Sequence, residues 1–118
     1  MADPLGLVAG TVPEGFTGDA VNVVMAHATL LGGRRGGGER DVQTSLGYEL
    51  PASMFPPSAH YVAHGHLHRC QEIPGPCPIF YAGSPLAVDF GEQDNDPSVL
   101  IVRAWGTTYG NGCRTPWR

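Results

Sequence analysis

The chain has 118 residues, of which 17 are glycine and 11 are proline, a content typical of a protein rich in loops. Its hydrophobic fraction of 42% and charged fraction of 15% argue against a disordered chain, which is usually polar and highly charged. The formal net charge is −4, and no stripe of basic residues suggests a nucleic-acid-binding surface. We therefore expect one loop-rich globular domain.

The termini and the cysteines restrict the protein class further. No run of about 18 apolar residues is present, and no basic region precedes an apolar one at the N-terminus, so we expect no membrane span, no secretory signal and a cytoplasmic location. Three cysteines, Cys70, Cys77 and Cys113, are an odd number that argues against a disulfide framework. If the protein handles phosphate esters, bound metal ions are the expected source of positive charge.

The first half of the chain contains one clear strand. Residues 1–19 form an irregular lead-in, and residues 21–26 (VNVVMA) have the pattern of a strand buried on both faces, which ends at His27. Residues 32–39 (GGRRGGGE) predict a flexible loop. Residues 40–50 fit either a helical turn or a strand.

The second half predicts several short strands. A strand starts at 61–63 and runs into 65–68, and the turn signal IPGP at 73–76 predicts a hairpin over 67–82 with its returning strand at 79–82. Residues 86–90 predict a short extended segment and residues 98–104 a last strand, whereas residues 105–118 form a tail without a pattern.

Four of the five histidines, His60, His64, His66 and His68, lie within nine residues. In an extended chain His66 and His68 would share a face about 6–7 Å apart, so both could bind one metal ion or two adjacent ions. His27 ends another strand, where ligands gather in α/β sheets. Gly65 would allow a sharp turn or a close approach to an ion.

These positions predict a metal site at His27, His66 and His68. The simpler alternative is that His27 is a core histidine and the cluster an exposed polar loop. His64 is expected to pack or to face solvent, and nothing in the pattern assigns a role to His60.

A structural zinc site is a second alternative. His66, His68, Cys70 and Cys77 offer two nitrogen and two sulfur ligands. Positions 66, 68 and 70 would span about 13 Å along a strand, too far to converge without a tight bend. We therefore expect both cysteines to be ordinary hairpin residues.

Four segments resemble a known family: VNVVMAHATLLGG (21–33), GGGER (36–40), HYVAHGHLHRCQ (60–71) and YAGSPLAVDFGE (81–92). The family is the D subunit of the bacterial SbcCD nuclease, within the calcineurin-like metallophosphoesterases, and the resemblance covers about residues 20–102. The Gly-His-x-His signature is widespread in that superfamily, whereas GSP followed by DFGE is distinctive of the subfamily.

The resemblance implies an α/β fold, α+β by the content of this chain. Residues 20–104 would form the C-terminal half of a four-layer α/β/β/α sandwich. It also implies a phosphodiesterase that uses two Mn²⁺ ions, with Mg²⁺ as an alternative. His27 and His66 match ligands of one ion, and His68 matches a ligand of the other.

The family resemblance also implies a biological setting. It suggests an exonuclease and endonuclease of DNA repair and recombination, with DNA, an SbcC-like ATPase subunit and a second copy of the full-length subunit as partners. Catalytic and substrate-binding residues are not assigned, because the family's catalytic histidine lies in the N-terminal half. Ser84, Asp89 and Glu92 match motif positions without a catalytic role, and Gly83 and Pro85 predict a fixed turn.

Motifs of the family's N-terminal half, Asp-x-His, Gly-Asp-x-x-Asp and Gly-Asn-His, do not occur in the sequence. We therefore expect a truncated or frameshifted product that binds manganese weakly, hydrolyses little and leaves strand edges and an apolar sheet face uncovered. A phosphatase of the same superfamily acting on small phosphoesters, or a non-catalytic remnant or zinc-binding module, are the alternative functions.

Overall fold

The computed structural model describes residues 15–37 and 49–105. Its mixed sheet has four strands, β1 (Val23–His27), β2 (Tyr61–Gly65), β3 (Gln71–Ile73) and β4 (Ile79–Tyr81), and two short 3₁₀ turns lie at Ala52–Met54 and Phe90–Glu92. A mixed sheet with little helix agrees with part of an α/β domain, and the complete four-layer sandwich stays a prediction. The expectations for residues 1–14, 38–48 and 106–118, including Cys113, lie outside the described residues.

The sheet has the order β1-β2-β4-β3. β1 pairs in parallel with β2, and β2 in parallel with β4, whereas β3 and β4 are antiparallel. Ile73 and Ile79 face each other across the predicted hairpin, which is confirmed. Because β1 and β2 run in the same direction, their carboxyl ends meet at one edge of the sheet.

One face of the sheet carries the core. Val24 of β1 and Val62 of β2 share this face with Ile79 and Tyr81 of β4, as their pairing requires. The segment after residue 49 covers them with Met54 and with Phe55, which is fully buried, so non-local apolar contacts hold the sheet together. Other members of this core cluster are Leu30, Leu50, Ala59, Leu67, Ile73 and Cys77.

The prediction that the first strand is buried on both faces is wrong. Val23 and Met25 project from the second face and are 45% and 82% exposed, whereas Val24 packs against the core. No described residue pairs with the outer edge of β1, and no described layer covers these side chains. A continuous apolar run in the sequence reports strand propensity, but it cannot report whether a second layer is present.

The last predicted strand, 98–104, is also absent from the part of the chain that the structure describes. Only Val99 makes a single bridge, and Val99 and Ile101 are about half exposed. The segment 86–90 bends instead of extending and leads into the turn at Phe90–Glu92. Both segments contain residues that favour β-strands, but among the described residues neither pairs with another strand along its length. Neither therefore forms a strand, because β-propensity depends on pairing and packing.

Candidate metal centre

His27 and His66 come together at the edge where β1 and β2 end. His27 is the last residue of β1 and lies opposite Gly65, the last residue of β2, so His66 follows directly on the neighbouring strand. The two imidazole rings have their centroids 5.3 Å apart at an interplanar angle of 63°. The parallel pairing of two strands therefore places two residues 39 positions apart side by side.

Gly65 makes room for this pair. A Cβ atom at position 65 would lie 2.9 Å from Nδ1 of His27, closer than a carbon and a ring nitrogen normally approach. A side chain at position 65 would therefore have to displace the ring of His27 from its place beside His66. The predicted role of Gly65, a sharp turn or approach to an ion, changes to that of a space for the ring of His27.

The backbone at His66 is unusual, with φ at 101°. A side chain at this positive φ is strained by about 1–2 kcal/mol, and such strain is most often found at functional sites. This backbone conformation turns the chain away from the path of β2 and places the ring of His66 beside that of His27. It also shows that the extended-chain argument for His66 and His68 is wrong, because β2 ends at Gly65 and alternation no longer applies.

His68 is held by a residue far along the chain. Its Nδ1 atom is hydrogen bonded to Oε1 of Glu92, and Oε2 of Glu92 accepts a hydrogen bond of 2.6 Å from the backbone N–H of Val88. The Glu92 side chain is 1% exposed, whereas that of His68 is 27% exposed. A buried carboxylate therefore lies behind a partly accessible imidazole.

The glycine-rich loop packs against His68. A Cβ on Gly36 would lie 2.9 Å from Cβ of His68, and a Cβ on Gly37, where φ is 115°, would lie 2.5 Å from the carbonyl oxygen of Gly91. Gln71 ties the loop down by accepting from the N–H of Arg34 and donating to its carbonyl. In its described part the loop that was predicted to be flexible is therefore a packed element.

Two other histidines have structural contacts. Nδ1 of His60 accepts a hydrogen bond of 3.1 Å from the N–H of Asn22, and the N–H of His60 donates to the carbonyl of Asn22, which joins the starts of β1 and β2. His64 is 3% exposed and packs edge-on against Phe55, with its ring centroid 4.8 Å from that of Tyr81.

The environment of His64 disfavours its charged form. Burial lowers the pKa of His64, a hydrogen bond to the carbonyl of Gly65 opposes this, and the nearby His27 and His66 lower it further. Its Nε2 atom has no hydrogen-bond partner among the described residues. His64 is therefore a packed, neutral residue. Of the two expectations for it, packing is confirmed and exposure to solvent is wrong.

Tyr81 fixes the chain that follows His27. Its hydroxyl donates to the carbonyl of Ala28 at 2.6 Å and accepts from the N–H of Leu30 at 2.9 Å. Burial raises the pKa of Tyr81 to about 12, and the hydrogen bond with Leu30 offsets part of this. Sequence patterns did not indicate this role, because the contacts join residues more than 50 positions apart.

The remaining motif residues shape the backbone. Gly83 has φ at 77°, and a Cβ there would lie 2.7 Å from the N–H nitrogen of Cys70, which agrees with a fixed turn. Ser84 hydrogen bonds through Oγ to the carbonyl of Leu86, and Asp89 caps the second 3₁₀ turn by accepting from the N–H of Gly91.

Among the residues that the structure describes, neither cysteine belongs to a group of metal-ligating side chains with the histidines. Cys77 is a core residue, and burial raises the pKa of its thiol to about 11. Cys70 precedes β3 and is half-buried. Both are hairpin residues, as expected.

The donors fit a part of a metal centre. His27 and His66 offer imidazole nitrogens at one edge of the sheet, His68 offers a third from the segment that follows β2, and imidazole is a good ligand for transition metals. Within residues 15–37 and 49–105, however, no group of three or more His, Cys, Asp or Glu side chains is arranged to hold an ion. The assignment of the three histidines as ligands therefore stays a prediction, for a centre that would need carboxylate ligands from elsewhere.

Comparison with known proteins places this arrangement in a family context. The chain is 40% identical over 90 residues to the D subunit of the SbcCD nuclease from Bacillus subtilis, and 34% identical over 90 residues to the one from Escherichia coli. It is 33% identical over 96 residues to the corresponding protein from Rhodobacter capsulatus. These matches cover 75–80% of this chain but only 21–23% of the relatives, so the chain spans less than a quarter of their length.

No protein-family model matches the chain. Within the described ranges the structure holds no helix with the length and apolar character of a membrane span. The similarity to the three named nuclease subunits nevertheless extends over three quarters of the chain, and it confirms the resemblance of this chain to the D subunits of SbcCD nucleases.

Proposed function

We propose that this chain supplies His27, His66 and His68 as ligands to the metal centre of a nuclease subunit. The observation that carries the proposal is the pair of imidazoles, 5.3 Å apart, at the joined carboxyl ends of two parallel strands. It lies in a segment that is 40% identical to a protein named as a nuclease subunit. The strained backbone of His66 adds support, because a packed loop histidine would not need it.

The residues of this chain would position donors and shape the space around them. When bound, a pair of divalent ions supplies the positive charge that a phosphodiester needs and activates water for hydrolysis. Gly65 keeps the ring of His27 beside His66, Tyr81 fixes the chain after His27, and Glu92 holds His68. Such contacts keep imidazoles in place before an ion arrives.

The finer assignments belong to this proposal. Manganese, or magnesium in its place, is the expected ion, with DNA as the substrate in repair and recombination and an SbcC-like ATPase as the partner. A homodimer of the complete subunit and a cytoplasmic location complete it. The chain alone is proposed to bind manganese weakly and to hydrolyse little, because three neutral imidazoles without a carboxylate are a poor site for two such ions.

The metal ligands can be tested on the chain itself. Isothermal titration of the 118-residue chain with Mn²⁺ should give weak binding that His27→Ala and His66→Ala weaken further. His60→Asn is the matched control, because an asparagine oxygen can still accept the hydrogen bond from Asn22. Binding that both alanine variants leave unchanged would contradict the ligand assignment.

The nuclease role needs the rest of the subunit. A chimera of the Bacillus subtilis relative, in which the 90 matched residues are replaced by those of this chain, should cleave linear DNA in a manganese-dependent reaction. His66→Ala in the chimera should abolish cleavage. Preferential hydrolysis of a chromogenic phosphodiester over DNA by the chimera would instead favour a small-molecule phosphatase. Exonuclease activity of the 118-residue chain alone, if it is lost in His66→Ala, would overturn the proposal that this chain hydrolyses little by itself.

A further inference from the structure

Glu92 is a buried carboxylate, and each of its two oxygens has a hydrogen-bond partner. Oε2 accepts from the N–H of Val88, and Oε1 contacts Nδ1 of His68. The side chain is 1% exposed, so water can replace neither contact easily. A group this deeply buried requires partners for both oxygens, and His68 is one of them.

These contacts determine which nitrogen of His68 carries the proton. When Glu92 is ionised its carboxylate only accepts hydrogen bonds, so the contact with its Oε1 requires the proton of the neutral His68 ring to lie on Nδ1. In the neutral ring the lone pair is then on Nε2, the atom through which the ring would bind a metal ion. The carboxylate therefore selects one of two ring tautomers.

The segment that carries Glu92 is held in place at several points. Asp89 caps the turn Phe90–Glu92, and the N–H of Asn95 donates to the carbonyl of Glu92 at 2.9 Å. The side-chain amide of Asn95 donates to the carbonyl of Gly36 at 3.0 Å. Because the glycine-rich loop also packs on His68, carboxylate and imidazole are enclosed by the same two segments.

We propose that Glu92 is a positioning residue that fixes His68 in the Nδ1–H tautomer and in one orientation, and so prepares Nε2 for a divalent transition-metal ion. The metal part of this inference rests on the proposed function. The tautomer part does not, because it follows from the contacts within the chain. An isosteric amide cannot replace the carboxylate, since its single oxygen can accept from Val88 or from His68 but not from both.

The test uses the 118-residue chain labelled with ¹⁵N-histidine. Long-range ¹H–¹⁵N correlation spectra without metal, in mildly alkaline buffer where imidazoles are neutral, should show His68 protonated at Nδ1. His68→Asn assigns the signal. In Glu92→Gln the amide oxygen can accept from the N–H of Val88 while the amide NH₂ donates to Nδ1, so the ring should shift to the Nε2–H tautomer. Glu72→Gln, at an exposed glutamate of β3, should leave the tautomer unchanged.

A second readout is metal affinity, measured by titration with Mn²⁺ alone. Loss of a carboxylate behind a histidine ligand typically weakens metal binding about 10–100-fold, and we expect this range for Glu92→Gln and no change for Glu72→Gln. If Glu92→Gln does not fold, the ring tautomer of the unsubstituted chain still decides the inference.

The outcomes separate this inference from the proposed function. An Nε2–H tautomer of His68 in the unsubstituted chain, or an unchanged tautomer in a folded Glu92→Gln variant, overturns the positioning role. Failure of the unsubstituted chain to bind Mn²⁺ at all, with the Nδ1–H tautomer present and lost in Glu92→Gln, counts against the metal function and supports the selection of the tautomer by Glu92.

Discussion

The strained backbone of His66 can be measured by comparing two substitutions that remove the same ring. His66→Ala and His66→Gly both lose the imidazole, but only glycine adopts a φ of 101° without a clash of its side chain. We expect His66→Gly to be more stable than His66→Ala. This reverses the usual order, because glycine is normally less stable than alanine by about 0.5–1 kcal/mol.

The size of the effect follows from the geometry. A left-handed backbone disfavours a non-glycine residue by about 1–2 kcal/mol. Glycine gains flexibility in the unfolded chain, which offsets part of this, and the net preference for glycine at position 66 should be about 0.5–1 kcal/mol. Arg69→Ala and Arg69→Gly are the matched controls, since His66 is the only non-glycine residue with positive φ among the described residues.

The free energy of unfolding of these four variants can be measured by urea denaturation of the full chain. The difference between the glycine and alanine variants at position 66, minus the same difference at position 69, cancels the unfolded-state contribution. It should equal the strain, about 1–2 kcal/mol. Equal differences at the two positions would show that His66 is not strained, and would remove that support for a functional site.

Two further substitutions test buried groups of the same region. Tyr81→Phe should lower the free energy of unfolding by about 2–3 kcal/mol, because the buried N–H of Leu30 and the carbonyl of Ala28 lose their partner. Thermal unfolding measures this change, and a decrease below about 0.5 kcal/mol would contradict the prediction. Since the pKa of Tyr81 is raised from 10 to about 12, its contribution to stability is present below pH 10 and lost as pH rises towards 12, and Tyr81→Phe should remove that part of the alkaline loss. His64→Leu should stabilise the chain by about 1 kcal/mol, because it removes a buried ring nitrogen without a hydrogen-bond partner among the described residues. The lowered pKa of His64 also means that the folded chain loses stability as pH falls below about 6.5, where the unfolded chain binds the proton more readily, and the leucine variant should lack this loss. The same acid-induced loss in both proteins would refute this.

The sequence was sufficient where a pattern is local. The apolar run before His27, the segment 61–63 and the turn signal at 73–76 predicted β1, β2 and the hairpin, although β2 ends at Gly65 and does not continue to residue 68. From strand ends alone it was also reasonable to expect His27 near His66, and the parallel pairing of β1 and β2 brings them together. Local periodicity thus predicted the part of the site that depends on strand direction.

The sequence was insufficient where a contact joins distant residues or where the backbone leaves a regular path. Glu92 lies 24 residues from His68, and Gly36 packs on His68 from a loop whose composition only indicated flexibility. Alternation failed at His66 because one positive φ angle ends the strand geometry. The prediction that β1 is buried on both faces was wrong for a different reason, since a strand pattern does not reveal whether a second layer covers the strand.

Three locally unfavourable features occur at the ends of β1 and β2 and in the segment that follows them. A histidine has a backbone conformation suited to glycine, the ring of the histidine beside it lies where a side chain at position 65 would begin, and a carboxylate is buried behind His68. Each one alone would be selected against if stability were the only requirement. Together they act on the three imidazoles that the proposed function needs, and a site that binds ions has to hold its donors in place before the ions arrive. The same reasoning separates His60 and His64, whose contacts serve only the packing of the sheet, from the three histidines that the proposed function needs.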